Sequence, residues 1–357
     1  MRTIGIDPGT ITIDVCGLDG GEVFLDRSVP VEEVGENPRA FVELLEGAGA
    51  ELIAGPSGYG VPLTDIRDVD DELLRLAFLA RSGESGGIMG MRALVRALAS
   101  AKLPVVLTPG VVHLQTVPAH RKANRVDMGT ADKLCAAALG VHRQMQARGC
   151  AAAEVSFILL ELGGAFTAAI AVSEGRIVDG LGGTSGAMGA RAAGALDGEV
   201  AFLAGEISKS LLFQGGAATI LGGTEDIWHR LGDPAGDVER LARSAFLESA
   251  EKAVAALTVS VPRPREILLS GRAVRVESIE RELGERLSRF APVCRLEGRA
   301  RIAKQAAEGA ALVANGLAGG ACAELVATLG IREARGSVLD HLHIISPERA
   351  RLRLGID

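Results

Sequence analysis

The stretch RTIGIDPGTITIDVCGL, residues 2–18, joins an apolar run (2–7), an Asp-Pro-Gly-Thr turn (7–10) and a second, alternating run (11–18). Period-two alternation reads as β-strand, and the turn residues between the runs make the pair a hairpin. GEVFLDRSV (21–29) follows as a third strand. Further along, VSFILLELGGAFTAAIAVSEGRIVDGLGG (155–183) has the same plan: strand, acid and glycine turn, strand, tight SEG turn, strand. The two blocks share a pattern and not residue identities. The expectation is two related halves, each opening on an antiparallel meander. The long segment between them is no obstacle, because loop-closure cost grows slowly with length.

The remaining elements follow from spacing and stops. NPRAFVELLEGAG (37–49) reads as a helix ended by glycine, and ELIAGPSG (51–58) as a short strand running into a glycine loop. Helices are predicted at 69–82 and 88–101, separated by RSGESGGIMG, and a strand at 103–109. DMGTADKLCAAALGVHRQMQ (127–146) is a helix with Ala, Leu and Cys on one face. Further helices are predicted at about 233–259, 273–288 and 301–320, the last Ala-rich with an internal Gly309. REILLSG (265–271) is a strand ended by Gly271. The stretch after 320 continues as helix and then tail.

A chain of 357 residues is too long for one small core and suits two domains. Hydrophobic residues make up 48% and aromatics only 3%, so packing rests on Ala, Leu, Val and Ile. A net charge of -7 and few aromatics argue against nucleic-acid binding. The five cysteines form no close pair, which argues against a disulfide framework or a zinc knuckle and for a reducing, cytoplasmic setting. The N-terminus runs directly into strand-like sequence, so no signal peptide is expected. No apolar run is long and charge-free enough to span a bilayer, so no membrane partner is expected.

Five motifs carry chemistry. In the DPGT turn, the amides of Gly9 and Thr10 can face an anionic oxygen, the hydroxyls of Thr10 and Thr12 can add donors, and Asp7 can hold Mg²⁺, often through water. An ordinary turn explains the same residues. ELGGAFT raises the odds of a ligand. Glu161 ends a buried-type strand, Gly163 and Gly164 follow, and Thr167 returns on the next strand, so two such loops would grip phosphate from both sides of a cleft. GLGGTSGAMGAR (180–191), with Gly183, reads as a turn before a helix starting after Ser185, whose amides suit an anion or simply a helix cap. LLSGRAVR (268–275) has strand–glycine–helix form, with Gly271 against a base or ribose and Arg272 stacking or in solvent. AHRKANRVDMGTADKL (119–134) groups Arg121, Lys122 and Arg125 before a helix with Asp127 and Asp132. Cations there can hold transferring oxygens, and an acid can orient an attacking hydroxyl or bind metal. A solvated charge run and an acidic helix start explain them equally. In a sixth stretch, GPSGYG (55–60), Ser57 and the only tyrosine, Tyr59, follow a strand and could hydrogen-bond a small substrate, though a surface turn is the favoured reading.

With the DPGT turn, ELGGAFT, LLSGRAVR and the AKQAAEGAALVANGL helix, the chain resembles the acetate and sugar kinase, Hsp70 and actin superfamily. The five segments of that superfamily match in order at 4–18, about 127–143, 157–171, 266–275 and 302–317. VPAHRKANRVDMGTADKLCAAALG makes it most similar to a largely archaeal branch described as predicted butyrate kinase. The resemblance implies an α/β fold of two actin-like (ribonuclease H-like) domains, with mixed sheets flanked by helices and a nucleotide cleft between them. The expected divisions are 1–152, 153–320 and a C-terminal helix and tail at 321–357 packing back on the N-terminal domain. It implies ATP and Mg²⁺ as cofactors. Asp7 and Glu161 are the expected metal residues. Gly9, Thr10, Thr12, Gly163, Gly164, Thr167, Gly183, Gly271 and Arg272 are expected at the nucleotide, and Asp127 or Asp132 near the attacking oxygen. Arg121, Lys122 and Arg125 would offset the acceptor's charge.

The chain departs from the carboxylate kinases of that superfamily. They present His-Leu-Gly-Gly or His-Leu-Gly-Asn where this chain has Glu161 first, and an Arg where it reads GGTSG. The leading expectation is an ATP-dependent phosphotransferase acting on a small-molecule acceptor, a short carboxylate such as butyrate. The alternatives are an ATPase conformational switch read by a protein partner and a nucleotide-binding regulator. A homodimer is implied by analogy with related carboxylate kinases.

Overall fold

The computed structural model describes residues 1–55, 57–80 and 91–356. The opening stretch forms the expected hairpin: β1 (Arg2–Pro8) pairs antiparallel with β2 (Thr12–Asp19), which pairs with β3 (Glu22–Pro30). Two parallel strands extend this meander, β4 (Leu52–Gly55) beside β1 and β6 (Val105–Leu107) beside β4. A two-residue strand, β5 (Thr64–Asp65), closes the edge antiparallel to β6. The sheet order is β3-β2-β1-β4-β6-β5.

The second block repeats the plan. β7 (Ser156–Leu162), β8 (Thr167–Ser173) and β9 (Arg176–Leu181) form an antiparallel meander. β10 (Glu266–Gly271) lies parallel to β7, and β11 (Val293–Arg295) parallel to β10. The order is β11-β10-β7-β8-β9, the first sheet's order without its short edge strand.

Helices cover both faces of each sheet. α1 (Pro38–Ala48) begins as its sequence dictates, with Asn37 accepting from the Ala40 N–H and proline at the first helical position, and ends at Gly49 in the left-handed region. Its Phe41, Val42 and Leu45 pack with Ile4, Ile6 and Ile53 on the outer face of the first sheet. The second sheet's outer face carries α3 (Asp237–Leu257) and α4 (Glu277–Leu287), with α2 (Ala131–Arg148) on its inner face. α5 (Gln305–Leu317) lies on the inner face of the first sheet, against β1, β2 and β4, and packs on α2. The central core is thus two packed helices between two sheets. α6 (Ala323–Leu329) packs on α2 and α5. The tail reaches the first lobe, where Arg351 pairs with Glu72.

Two glycines set these distances. A Cβ on Gly5 would lie 2.1 Å from the Ala307 carbonyl of α5, and one on Gly309 would lie 1.8 Å from the Cys135 carbonyl of α2. Only glycine permits so close a backbone approach.

Alternation decides which strand residues face the centre. Phe157 and Leu159 point to the inner core, while Ile158 and Leu160 point outward. Glu161 continues the inner series at the end of β7. On β1, Thr3 donates to the Ala311 carbonyl of α5, so Thr3, Gly5 and then Asp7 form the matching inner series.

Three expectations change. No helix follows Ser185. The segment folds on itself instead, with the N–H of Gly189 donating to Ala192 and those of Arg191 and Ala192 to Ala165. The helix predicted at 69–82 spans Asp71–Phe78 and stops at Leu79, which is in the left-handed region. RSGESGGIMG (81–90) lies outside the described residues, and the helix after it spans Met91–Ser100. The C-terminal helix breaks after Leu329 and a separate one spans Pro347–Leu354.

Candidate active site

The ends of β1, β2, β7 and β10 and the N-termini of α2 and α5 surround one cavity of about 390 Å³. That volume lies in the range of small-molecule pockets. Asp7, Gly9, Thr10, Thr12, Asp127, Asp132, Glu161, Gly163, Gly164, Gly183, Gly271 and Arg272 all line it. The two glycine-bearing hairpins therefore meet across one cleft, as their repeated pattern predicts.

Each lobe contributes a strand-end carboxylate that meets a lysine at the start of an inner helix. Lys304, the residue before α5, has its Nζ 3.5 Å from Asp7 Oδ2 and pairs more closely with Asp14 of β2. Asp14 also accepts from Thr12 Oγ1 at 3.2 Å. Lys133, in the first turn of α2, donates to Glu161 Oε1 at 2.6 Å and to its neighbour Asp132, which also accepts from Thr130 Oγ1. A cation at a helix N-terminus opposes the helix dipole. Both lysines therefore stand against local preference, held by carboxylates.

The electrostatics follow from burial and this pairing. Burial raises the Asp7 carboxyl to about 7; Lys304 opposes the shift and Asp132 adds to it. Burial also works against the charge of Lys304, yet Asp7 and Asp14 hold its ammonium above the usual range. Lys133 behaves alike: burial opposes its charge, and Asp132, Glu161 and Asp7 outweigh it. Burial would raise Asp132, but Lys133 beside it and the hydrogen bonds it accepts keep it below the ordinary carboxylate range.

The turns are closed by the amides of their first glycines. The Gly9 N–H donates to Thr12 O at 2.9 Å, and the Gly163 N–H donates to Phe166 O at 2.9 Å. These amides do not face the cavity as donors, contrary to the expectation for Gly9. Those of Thr10 and Gly164 have no hydrogen-bond partner among the described residues. Gly271, at φ +94°, lies over the end of β7, where a Cβ would be 2.3 Å from the Leu162 carbonyl. The stem of Arg272 runs past Gly164.

Asp127 is buried and its carboxylate is already engaged. It accepts from the N–H of Gly129 at 3.2 Å, from the N–H of Thr184 at 3.0 Å and from Thr184 Oγ1 at 3.1 Å. Burial raises its pKa and these hydrogen bonds oppose the rise. It thereby ties the segment before α2 to the loop after β9. Gly182 makes room, since a Cβ there would overlap the carboxylate. Residues 57–60 do not form a surface turn. Ser57 is buried and donates to Thr108 O at 2.7 Å, and both Ser57 and Tyr59 line the cavity.

The three cations of the AHRKANR run do not line the cavity. Arg121 donates to Val178 O at 2.7 Å and lies 3.8 Å from Asp179. Lys122 is buried and donates to Leu114 O at 2.8 Å, and Arg125 donates to Ser185 O at 3.1 Å. Carbonyls of β9 and of neighbouring loops take up all three, so they fasten the segment. Thr167 is also outside the cavity lining, fully buried, and its hydroxyl has no partner among the described residues.

Sequence reasoning missed Lys133, Lys304, Asp14 and Lys209, all of which line the cavity. One signal was present: a lysine opening an apolar helix, where acids are preferred. Among the described residues no three acids, histidines or cysteines are grouped to hold a metal ion. That fits a Mg²⁺ carried by phosphate, which keeps several waters and takes one or two carboxylates, and does not fit an all-protein cage.

The fold recurs in solved structures of low sequence identity. A propionate kinase from Francisella tularensis subsp. tularensis superposes with a TM-score of 0.63 at 11% identity, covering 86% of this chain and 98% of that one. Acetate kinase from Entamoeba histolytica gives 0.59 at 9% identity, covering 81% and 87%. Acetate kinase from Porphyromonas gingivalis gives 0.57 at 13%, covering 81% and 88%. These likenesses show a shared fold alone. No protein of curated function matches the chain by sequence. Residues 5–344 match the family described as protein of unknown function (DUF1464), and to that family the chain belongs.

Proposed function

We propose that the protein transfers the terminal phosphoryl group of ATP to a small acceptor, a short-chain carboxylate of the butyrate class. The observation that carries this reading is the pair of carboxylate–lysine contacts, Asp7–Lys304 and Glu161–Lys133, one from each lobe and both on one cavity. The names of the structural neighbours, acetate and propionate kinases, support the same class.

In this reading the triphosphate lies between the hairpins. The Thr10 and Gly164 amides donate to its oxygens, and Lys133 and Lys304 offset its charge. Gly271 and Arg272 flank the adenosine, while Gly183 lets the loop after β9 approach. Around the two hairpin turns Asp7, Asp14, Asp132 and Glu161 meet only Lys133 and Lys304, while Arg272, Arg275 and Arg295 line the cavity elsewhere. A triphosphate set beside those carboxylates would need its cation. Asp7 and Glu161 would hold Mg²⁺ through its waters, and when bound it supplies further charge neutralisation at the phosphates.

A specific observation favours a carboxylate over an alcohol. An alcohol needs a base to take its proton, and both candidate acids are engaged: Asp127 by three donors, Asp132 by Lys133 and Thr130. A carboxylate oxygen attacks phosphorus without losing a proton. Its O–P bond forms as the bond from the terminal phosphorus to the bridging oxygen breaks, and ADP leaves with that electron pair.

The test is product analysis. Purified protein, Mg-ATP and carboxylates from acetate to hexanoate are incubated, with hydroxylamine trapping of acyl phosphate and parallel assay of ADP and free phosphate. Acyl phosphate equal to ADP is expected. ADP with free phosphate regardless of acceptor would replace this reading with an ATPase switch. No ADP would leave a nucleotide-binding regulator.

A further inference from the structure

Among the described residues, two fully covered side-chain oxygens lack a hydrogen-bond partner, Thr167 Oγ1 and Ser270 Oγ. An unbonded buried hydroxyl costs about 1–3 kcal/mol, so each calls for a reason. The two differ in place. Thr167 opens β8 outside the cavity lining, whereas Ser270 lines the cavity at the end of β10. Other hydroxyls of that lining are spent: those of Thr12, Ser57, Thr130 and Thr184 each donate to a protein oxygen. Strand parity fixes the side on which Ser270 lies. Leu268 packs in the inner core and Leu269 in the outer one, so Ser270 is on the inner side. β10 runs parallel to β7 with Ser270 opposite Glu161, and opposite residues of neighbouring strands share a face. The two side chains are therefore neighbours, yet they do not bond each other. Glu161 gives Oε1 to Lys133, and its Oε2 accepts no hydrogen bond among the described residues.

Resting on the nucleotide placement above, we propose that Ser270 is a positioning residue, which holds with Glu161 one water of the Mg²⁺ that accompanies the triphosphate. A metal-bound water offers two hydrogens and needs two acceptors. The lysines and arginines of the cavity only donate. Glu161 Oε2 supplies one acceptor, and the oxygen of Ser270, beside it on the next strand, supplies the second. A hydroxyl accepts and donates at once, so the Ser270 proton is left for a phosphate oxygen. Mg²⁺ keeps several of its waters when bound, which makes such indirect holding the usual arrangement. The Oγ is covered by its neighbours, and one turn about χ1 between staggered wells re-aims it as the water arrives. The orphaned hydroxyl thus costs stability in the protein alone and contributes to binding once the metal is in place. Thr167, with the same defect away from the cavity, has no such use.

Ser270→Ala and Thr167→Val test this by thermal unfolding of the protein alone, by calorimetric titration with Mg-ATP, and by electron paramagnetic resonance of Mn-ATP complexes at saturating protein, Mn²⁺ standing in for Mg²⁺. Each variant removes an unbonded hydroxyl and is expected to melt about 1–3 °C above the parent. Ser270→Ala is expected to bind Mg-ATP about 3–10-fold more weakly, the size of one lost hydrogen bond, and to alter the zero-field splitting of bound Mn²⁺. Thr167→Val is expected to match the parent in both affinity and spectrum. Unchanged Mg-ATP affinity in Ser270→Ala overturns the assignment and leaves the proposed function intact. Weaker binding with a parent-like Mn²⁺ spectrum places Ser270 on the nucleotide and not on the metal's water, which also overturns it. A lower melting temperature in Ser270→Ala removes the premise that its hydroxyl is unbonded. A parent that binds no Mg-ATP overturns both this inference and the reading on which it rests.

Discussion

In the first lobe Asp7 ends β1 and faces Lys304 at 3.5 Å; in the second, Glu161 ends β7 and faces Lys133 at 2.6 Å. Both strands run along the inner face of a sheet, both lysines open the helix covering that face, and both hairpins close through the N–H of a glycine. The halves differ in how the charge is settled. Lys304 leans toward Asp14 and leaves Asp7 deeply buried, with a carboxyl raised to about 7. Lys133 lies between Asp132 and Glu161, close to both. One architecture therefore carries two electrostatic states: a second lobe whose acids are held by a close cation, and a first lobe whose acid gains most from an arriving one. A strained, under-compensated group of this kind is expected at a functional site more than in a scaffold.

The comparison breaks most severely where the two inner helices touch. Gly309→Ala places a methyl group into the Cys135 carbonyl and is expected to cost 3 kcal/mol or more, on the order of the larger overpacking penalties, or to abolish soluble expression. Gly284→Ala, on the open face of α4, is the control. It is expected to stabilise by roughly 0.5–1 kcal/mol in urea unfolding. Lys133→Met comes next. It leaves Asp132 and Glu161 without their cation, and a loss of about 3 kcal/mol in the same assay is expected. Lys304→Met should cost clearly less, because that lysine is more exposed.

Asp7→Asn sharpens the contrast with a sign. The folded carboxyl is raised, so the folded state holds a proton that the unfolded chain releases near pH 4. That stabilisation is complete below about pH 4 and is lost as pH rises through about 7. Above pH 7 the buried charge costs stability, so the variant should melt about 2–5 °C above the parent at pH 8. The difference should disappear near pH 4. Its Mg-ATP affinity should fall at least about tenfold, the usual exchange of stability for function. A variant less stable than the parent at pH 8 would contradict the raised carboxyl. The smallest effect belongs to Arg125→Ala, whose partner is the Ser185 carbonyl outside the cavity lining. Less than about a threefold change in kcat/KM for ATP is expected.

Much of the fold was legible because strand alternation is local. Residues 2–18 and 155–183 show both hairpins, and Asp7, Glu161 and the glycines stand where strand parity turns inward. The lysines were not legible in the same way. Lys304 meets Asp7 across 297 residues of chain and Lys133 meets Glu161 across 28, so no window shows either pair. The AHRKANR run groups its cations in sequence, but Arg121, Lys122 and Arg125 donate to the carbonyls of Val178, Leu114 and Ser185. Glycine spacing after Ser185 resembled a helix start, while its backbone hydrogen bonds went instead to Ala165 and to one another.

The central claim is that the two helix-opening lysines grip one nucleotide from opposite walls. Isothermal titration of Mg-ATP into the parent, Lys304→Met and the Lys133→Met/Lys304→Met double variant, each first checked for cooperative unfolding, tests it directly. The account predicts binding by the parent, at least about tenfold weaker binding by the single variant and none detectable in the folded double variant. Parent-like affinity in the folded double variant would contradict it.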